Sequence, residues 1–381
     1  MVIYSRGNIL CKQKNIAMKL KTLCNEIEAF APINLQESYD NSGLIVGNIE
    51  RTISKAIISL DVTEDIVDEA IQEKADLIIA HHPLIFKPLK RITGSTTVER
   101  IVQKAIKNDI AIYAVHTNLD NIFEGVNLLF SHKLGLINPE ILLPKPNTLK
   151  KLIVYVPTNF ADTLKQSLFS IGAGTIGNYD SCSFQLEGKG SFKPLDGSNP
   201  FVGDKFKIHY EEESKIEMVF PAFLQSEIIR TLRANHPYEE PAFDVYALEN
   251  EWEKAGSGML AYLPEAMDEI EFLKFMKTRL QLNCIRHSPL IGKKVKKIAL
   301  CGGSGSFLIP HALKAKADVF ISADIKYHDF FESENQLLIA DIGHYESEQF
   351  TKQFLVDFIN KKFPNFAVQI SGRNTNVVNY L

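Results

Sequence analysis

The stretch Leu77-Ile78-Ile79-Ala80-His81-His82-Pro83 decides how the rest of the chain is read. Four consecutive apolar residues predict a strand buried on both faces, as in a parallel sheet covered by helices. The strand stops at two imidazoles, and Pro83 pushes His82 towards extended backbone. Successive side chains of an extended chain point to opposite sides, so His81 and His82 can serve two neighbouring ions. For an isolated His-His-Pro, polar caps on a strand are the plainer explanation. The surroundings shift the balance.

Outward from this strand, the same scheme recurs. Residues 53–60 predict a strand ending at Asp61, with Thr63 capping a helix over 64–74. A helix is expected over 98–107, then a strand over 110–115 ending at His116, with Asp120 just beyond. Late in the chain, 297–300 runs into Cys301-Gly302-Gly303-Ser304-Gly305. Strand 319–322 runs into Asp324, and 337–340 into Asp341, Gly343 and His344, followed by a helix to about Lys361. Short apolar strands alternating with helices imply right-handed crossovers and a mainly parallel sheet with flanking helices. Carboxyl ends of parallel strands lie on one side, so residues remote in sequence converge there.

The middle of the chain reads differently. Strand 151–156, closed by Pro157, precedes a helix over 161–171. Strand-like pieces 182–186 and 205–210 follow. A strand over 215–220, closed by Pro221, precedes a helix over 223–234 and a strand over 242–248. The repeated strand-Pro-helix unit suggests a β-α-β-β-α-β, ferredoxin-like α+β module. Because both flanks read as βα units, the fold class is α/β: one discontinuous domain, 18–148 plus 250–381, interrupted by a module over 149–249. Residues 1–17 read as a poorly ordered start, with Met18 the natural first residue.

His344 and Glu348 are four apart at the start of a helix, which puts their Cβ atoms roughly 5–6 Å apart on one face. His116 or Asp120 offers a ligand from another strand end; a turn capped by Asn118 and Asp120 is the plain alternative. Together, three strand ends offer His81, His82, Asp120, His344 and Glu348. Three imidazoles and two carboxylates suit Zn, Mn, Fe, Co or Ni better than Ca or Mg. Five ligands exceed the needs of one catalytic zinc and fit two ions, about 3.5–4 Å apart, sharing a carboxylate and water. Asp324 and His328 follow another strand and are candidates for acid/base or supporting roles, against a helix cap and a surface histidine. The glycines from Gly302 to Gly305 suit either an anion-binding nest or a tight turn.

A net charge of -4 gives no electrostatic case for nucleic acid. The five cysteines lack metal or redox spacing and fit reduced thiols in a cytoplasmic protein. No apolar run approaches the roughly 18 residues that would span a bilayer.

At these residues the sequence resembles the dinuclear-metal YbgI-like proteins, the GTP cyclohydrolase 1 type 2 homologues. The matching stretches are residues 39–47, 81–86, 116–120, 176–179, 236–241, 323–328 and 343–348, in order over about 20–381. Tyr39 stands where that family commonly has Trp. The resemblance implies two divalent ions per subunit, zinc foremost, held by His81, His82, Asp120, His344 and Glu348, with Glu348 bridging. It implies a toroidal homohexamer, a trimer of dimers, in the longer form that carries a PII/CutA-like insert. It implies a metal-dependent hydrolase acting on GTP or another nucleotide or phosphoester through a metal-bridging hydroxide, with Asp324 or His328 assisting. A non-enzymatic, metal-binding or ligand-sensing regulatory ring is the alternative.

Overall fold

The computed structural model describes residues 17–381. The reading of the first residues therefore falls, over 1–16, outside the described residues. The chain divides into two compact units, one formed by residues up to Leu143 with Ser257–Leu381, the other by Pro144–Gly256.

The first unit contains two large sheets. In the five-stranded sheet, Ala367–Ile370, Lys55–Ser59, Leu77–Ala80 and Ala111–Ala114 run parallel in that order, and Gly43–Val46 closes it antiparallel. Leu77, Ile78, Ile79 and Ala80 are all wholly buried, as a four-residue apolar run requires. Helices Glu64–Gln72 and Thr97–Lys107 cover one face, meeting Ile78, Ala80 and Ile112 through Ile66, Val67, Ile101 and Val102. Thr63 caps the first of them, its hydroxyl accepting from the Ile66 N–H at 3.4 Å, and Glu64 and Asp65 complement the dipole in the first turn.

In the six-stranded sheet the order is Arg286–His287, Leu338–Asp341, Val319–Ala323, Lys294–Ser304, Gly256–Asp268 and Ile137–Pro144. The second, third and fourth of these are parallel; Arg286–His287 and Gly256–Asp268 pair antiparallel to their neighbours. Convergence on one sheet edge is thus corrected. His81, His82 and Asp120 follow strands of one sheet, and His344 and Glu348 follow a strand of the other. The apolar runs look alike in both; only the backbone pairing separates them. Helix Thr351–Lys362 leaves the second sheet, and Ala367–Ile370 then joins the first beside Lys55–Ser59. This crossover ties the two sheets together and directs the C-terminal tail back over the site.

The second unit is one antiparallel sheet in the order Phe243–Ala247, Leu149–Pro157, His209–Pro221, Phe184–Phe192, with helices Ala161–Phe169 and Gln225–Asn235 packed on one face. Of the strand expected over 205–210 only His209 and Tyr210 are strand, residues 205–206 forming a turn, and they run without a break into the strand expected over 215–220 as His209–Pro221. Glu211-Glu212-Glu213 continues the pairing with residues 188–190, and only Glu212 of the three is exposed.

Candidate metal centre

Each imidazole is aimed by its own backbone position and then fixed by a bond to Nδ1. His81 ends the 77–80 strand with no exposed surface, and its Nδ1 donates to the Val115 carbonyl at 2.7 Å. His82 follows in a bend rather than in extended chain, so the expected divergence of the two side chains is corrected: its ring centroid lies 5.0 Å from that of His81, and its Nδ1 is 2.7 Å from Asp61 Oδ1. His344 opens the short helix His344–Glu348 after Gly343, whose φ is +94°, and its Nδ1 lies 2.7 Å from Asp324 Oδ2. A carbonyl only accepts, and so does an ionised carboxylate. Hydrogen bonds from His82 and His344 hold Asp61 and Asp324 below the usual carboxylate range despite burial, which acts the other way. The proton of each ring therefore sits on Nδ1, and Nε2 presents a lone pair.

Those Nε2 atoms converge on Glu348. Its Oε2 lies 3.0 Å from His82 and 3.2 Å from His344, and its Oε1 lies 3.7 Å from His81. His82 and His344 face each other Nε2 to Nε2 at 3.2 Å. Asp120 Oδ1 lies 3.6 Å from His81 Nε2. Lone pairs and carboxylates at these separations repel unless positive charge sits among them. His81 Nε2 and Asp120 Oδ1 are buried with no hydrogen-bond partner, a costly arrangement for a site holding nothing. The donor set therefore fits divalent cations. Without them protons take the role: the contacts with Asp61 and Glu348 raise His82 to about 9 and those with Asp324 and Glu348 raise His344 to about 11, in each case overcoming burial. Burial and the Glu348 charge push Asp120 up, and the imidazoles pull Glu348 down against its burial.

Three groupings have ligand atoms within 4.8 Å of one another and can hold a metal ion: His82, His344 and Glu348; His81, Asp120 and Glu348; and His81, His82 and His116. The strand end that offered either His116 or Asp120 in sequence thus brings both. His116 Nδ1 rests on Asp40 Oδ1 at 2.7 Å, and Asp40 also accepts from the Thr117 N–H and hydroxyl.

Two expectations change. In the glycine segment, the Gly302 and Gly303 N–H groups are not free for an anion. Gly302 N–H donates to Asn127 and Gly303 N–H to Ser347, both at 2.9 Å. Glycine is needed there because a Cβ on Gly303, at φ +63°, would stand 2.3 Å from Glu348 Oε1. His328 is not brought to the site either. Asp324 adopts φ +55°, and the chain then turns into Helix His328–Ser333, leaving the His328 ring exposed against Tyr327 and Phe331. Asp324 reaches the cluster only through His344.

The cluster opens into a cavity of ≈ 930 Å³. Part of its wall is the C-terminal segment, which sequence reading missed: Thr375 donates to Asp61 at 2.8 Å, and the Asn376 amide donates to Glu346 at 3.0 Å. Residues 371–381 have no apolar periodicity to flag them.

The pattern of the Duf34/NIF3 (NGG1p interacting factor 3) family matches residues 18–377. The chain belongs to the Duf34/NIF3 family. It is 39% identical over 343 residues to a "GTP cyclohydrolase 1 type 2 homolog" of Halalkalibacterium halodurans, covering 90% of this chain and 92% of that one. It is 38% identical over 360 residues to the Bacillus subtilis protein of the same name, covering 93% and 96%. Among solved structures, the Bacillus cereus protein related to NIF3 superposes with a TM-score of 0.82 at 38% identity, covering 94% of this chain and 98% of that one. Such similarity extends to both units of this Duf34/NIF3 chain.

Proposed function

We propose that this chain is a two-metal hydrolase acting on a nucleotide or another phosphoester, with Glu348 shared between the two ions. The observation that carries the reading is the division of partners between the Glu348 oxygens: Oε2 faces His82 and His344, and Oε1 faces His81, beside Asp120. His82 and His344 would hold one ion; His81 and Asp120 would hold the other, and His116 adds a donor between His81 and His82. Imidazole with carboxylate favours zinc, with manganese, iron, cobalt and nickel as substitutes. When bound, such ions supply Lewis acidity to a phosphoryl or carbonyl oxygen and lower the pKa of water.

The residues of the chain do the rest. Asp61 and Asp324 hold His82 and His344 in the tautomer that presents Nε2, and Val115 does so for His81. Asp324 is thus a positioning residue. The relatives' name makes GTP the first substrate to test. The Pro144–Gly256 unit, with its 4-1-3-2 strand order and two helices, supports the ferredoxin-like insert, and a PII/CutA-like ligand-binding role is proposed for it. A homohexameric ring in the cytoplasm completes the proposal.

The test is purified, metal-loaded protein against a panel of nucleotides and phosphoesters, beside the double variant His82→Ala/Glu348→Ala. Turnover by the wild type, lost in the variant, is expected. Equal activity of the two removes the hydrolase reading; metal-dependent binding without turnover favours a regulatory ring.

A further inference from the structure

The segment beyond strand Ala367–Ile370 inverts the usual order of burial. Ser371 and Thr375 are buried, whereas Val377 keeps 87% of its surface accessible and Val378 54%. Apolar burial therefore does not hold this segment in the cavity wall; hydrogen bonds do. The first anchor is Glu69, which accepts from the Ser371 hydroxyl and, at 2.8 Å, from the Gly372 N–H. The next two lie at the metal cluster.

Thr375 Oγ1 donates to Asp61 Oδ2 at 2.8 Å, and Asn376 Nδ2 donates to Glu346 Oε1 at 3.0 Å. Asp61 follows strand Lys55–Ser59 of the five-stranded sheet, and its other oxygen holds His82 Nδ1. Glu346 lies in helix His344–Glu348, after strand Leu338–Asp341 of the six-stranded sheet, between His344 and Glu348. Two consecutive residues thus reach elements of both sheets, where His82 and His344 face each other at 3.2 Å. Consecutive Cα atoms are about 3.8 Å apart across a trans peptide, so the link has little slack.

The link is also oriented. The Asn376 N–H donates to Asn374 Oδ1 and Asn376 Oδ1 accepts from the Val378 N–H, both at 3.0 Å, which leaves Nδ2 for Glu346. The Asp61 side chain is 39% exposed, so packing alone does not fix it; bonds at both oxygens do. Zinc takes imidazole nitrogen at about 2.0–2.1 Å, so an ion shared by His82 and His344 tolerates little variation in their separation. A link between the two supporting elements removes that freedom before an ion arrives.

We propose that Thr375 and Asn376 form a clasp that holds the His82 and His344 elements at a fixed separation and so sets the affinity of the ion these two rings share. Both are positioning residues, and the proposal rests on the reading of His82, His344 and Glu348 as the site of one ion. Calorimetric titration of chelator-stripped, full-length protein with zinc tests it, beside Thr375→Val, Thr375→Ser and Asn376→Leu. Thr375→Val, which keeps the shape and loses the hydroxyl, and Asn376→Leu each weaken one ion by about tenfold and leave the ion beside His81 and Asp120 as in the wild type. The single ion of His344→Ala gives the affinity of that second site for comparison. Thr375→Ser retains wild-type affinity for both.

Coupling between sites is reciprocal, so zinc in turn holds the clasp closed. Hydrogen exchange at the Asn376 and Val378 amides of the wild type, a measurement that needs no variant, is therefore slower in the zinc-loaded form than in the stripped form. Thr375→Val reduces that difference. The proposal is overturned if Thr375→Val and Asn376→Leu bind both ions as the wild type does, if they weaken both ions equally, or if zinc leaves the exchange unchanged. Wild-type protein that binds no zinc removes the two-ion reading and the clasp with it; two ions bound with unaltered affinity in the wild type and in both variants removes the clasp alone.

Discussion

His82 and His344 face each other Nε2 to Nε2 at 3.2 Å, each with its Nδ1 resting on a separate aspartate. Two neutral rings held this way direct lone pairs at one another, so the contact exists to share positive charge. A cation or a proton can supply it, and pH decides between them.

Without metal, His82 is raised from 6.5 to about 9 and His344 from 6.5 to about 11. A folded-state pKa above the unfolded one stabilises fully below pH 6.5, and that stability is lost as pH rises through the folded values. Chelator-stripped protein should therefore lose melting temperature in calorimetry from pH 6.5 to 9 and beyond. Metal affinity should move oppositely, rising over the same range, because each ion displaces protons from these rings. A stripped protein that gains stability from pH 6.5 to 9 would contradict the assignment.

Asp61 positions His82 and also accepts from Thr375 of the tail. Asp61→Ala should weaken metal binding by about 10–100-fold, measured against a competing chelator, the range seen when such supporting partners are removed. The fold should persist, since the Asp61 side chain is 39% exposed and outside the apolar cores.

Gly303 offers a sharper packing test. Alanine there meets both a φ of +63° and Glu348 Oε1 at 2.3 Å, whereas alanine at Gly292, φ +79°, meets nothing within 4 Å. Both substitutions carry the backbone cost of about 1–3 kcal/mol. Only Gly303→Ala should also reduce bound metal, as measured by elemental analysis. Equal metal content in the two variants would show that the glycine cradle does not set the position of Glu348.

Much of this was legible before the structure. The run Leu77–Ala80 announced a buried strand because no residue in it tolerates water, and Thr63 announced a helix start because its hydroxyl can satisfy an N–H. The i,i+4 spacing of His344 and Glu348 put both on one helix face, and the structure has them 3.2 Å apart. Less visible was anything that depends on tertiary pairing. Nothing in the apolar runs separates two sheets, so His82 and Glu348 were expected together but not from different sheets. Asp61 and Asp40 look like ordinary turn residues until a ring nitrogen lies 2.7 Å away. His328 looked as suitable as Asp324, but the left-handed Asp324 and the turn after it carry His328 out of reach.

Metal stoichiometry tests the shared role of Glu348 most directly. Elemental analysis of protein purified with zinc, paired with anomalous diffraction from its crystals, should give two ions per wild-type chain, on either side of the Glu348 carboxylate. Glu348→Ala should lose both, whereas His344→Ala should lose one and keep the ion beside His81 and Asp120. One ion per wild-type chain, or two that survive in Glu348→Ala, would contradict it.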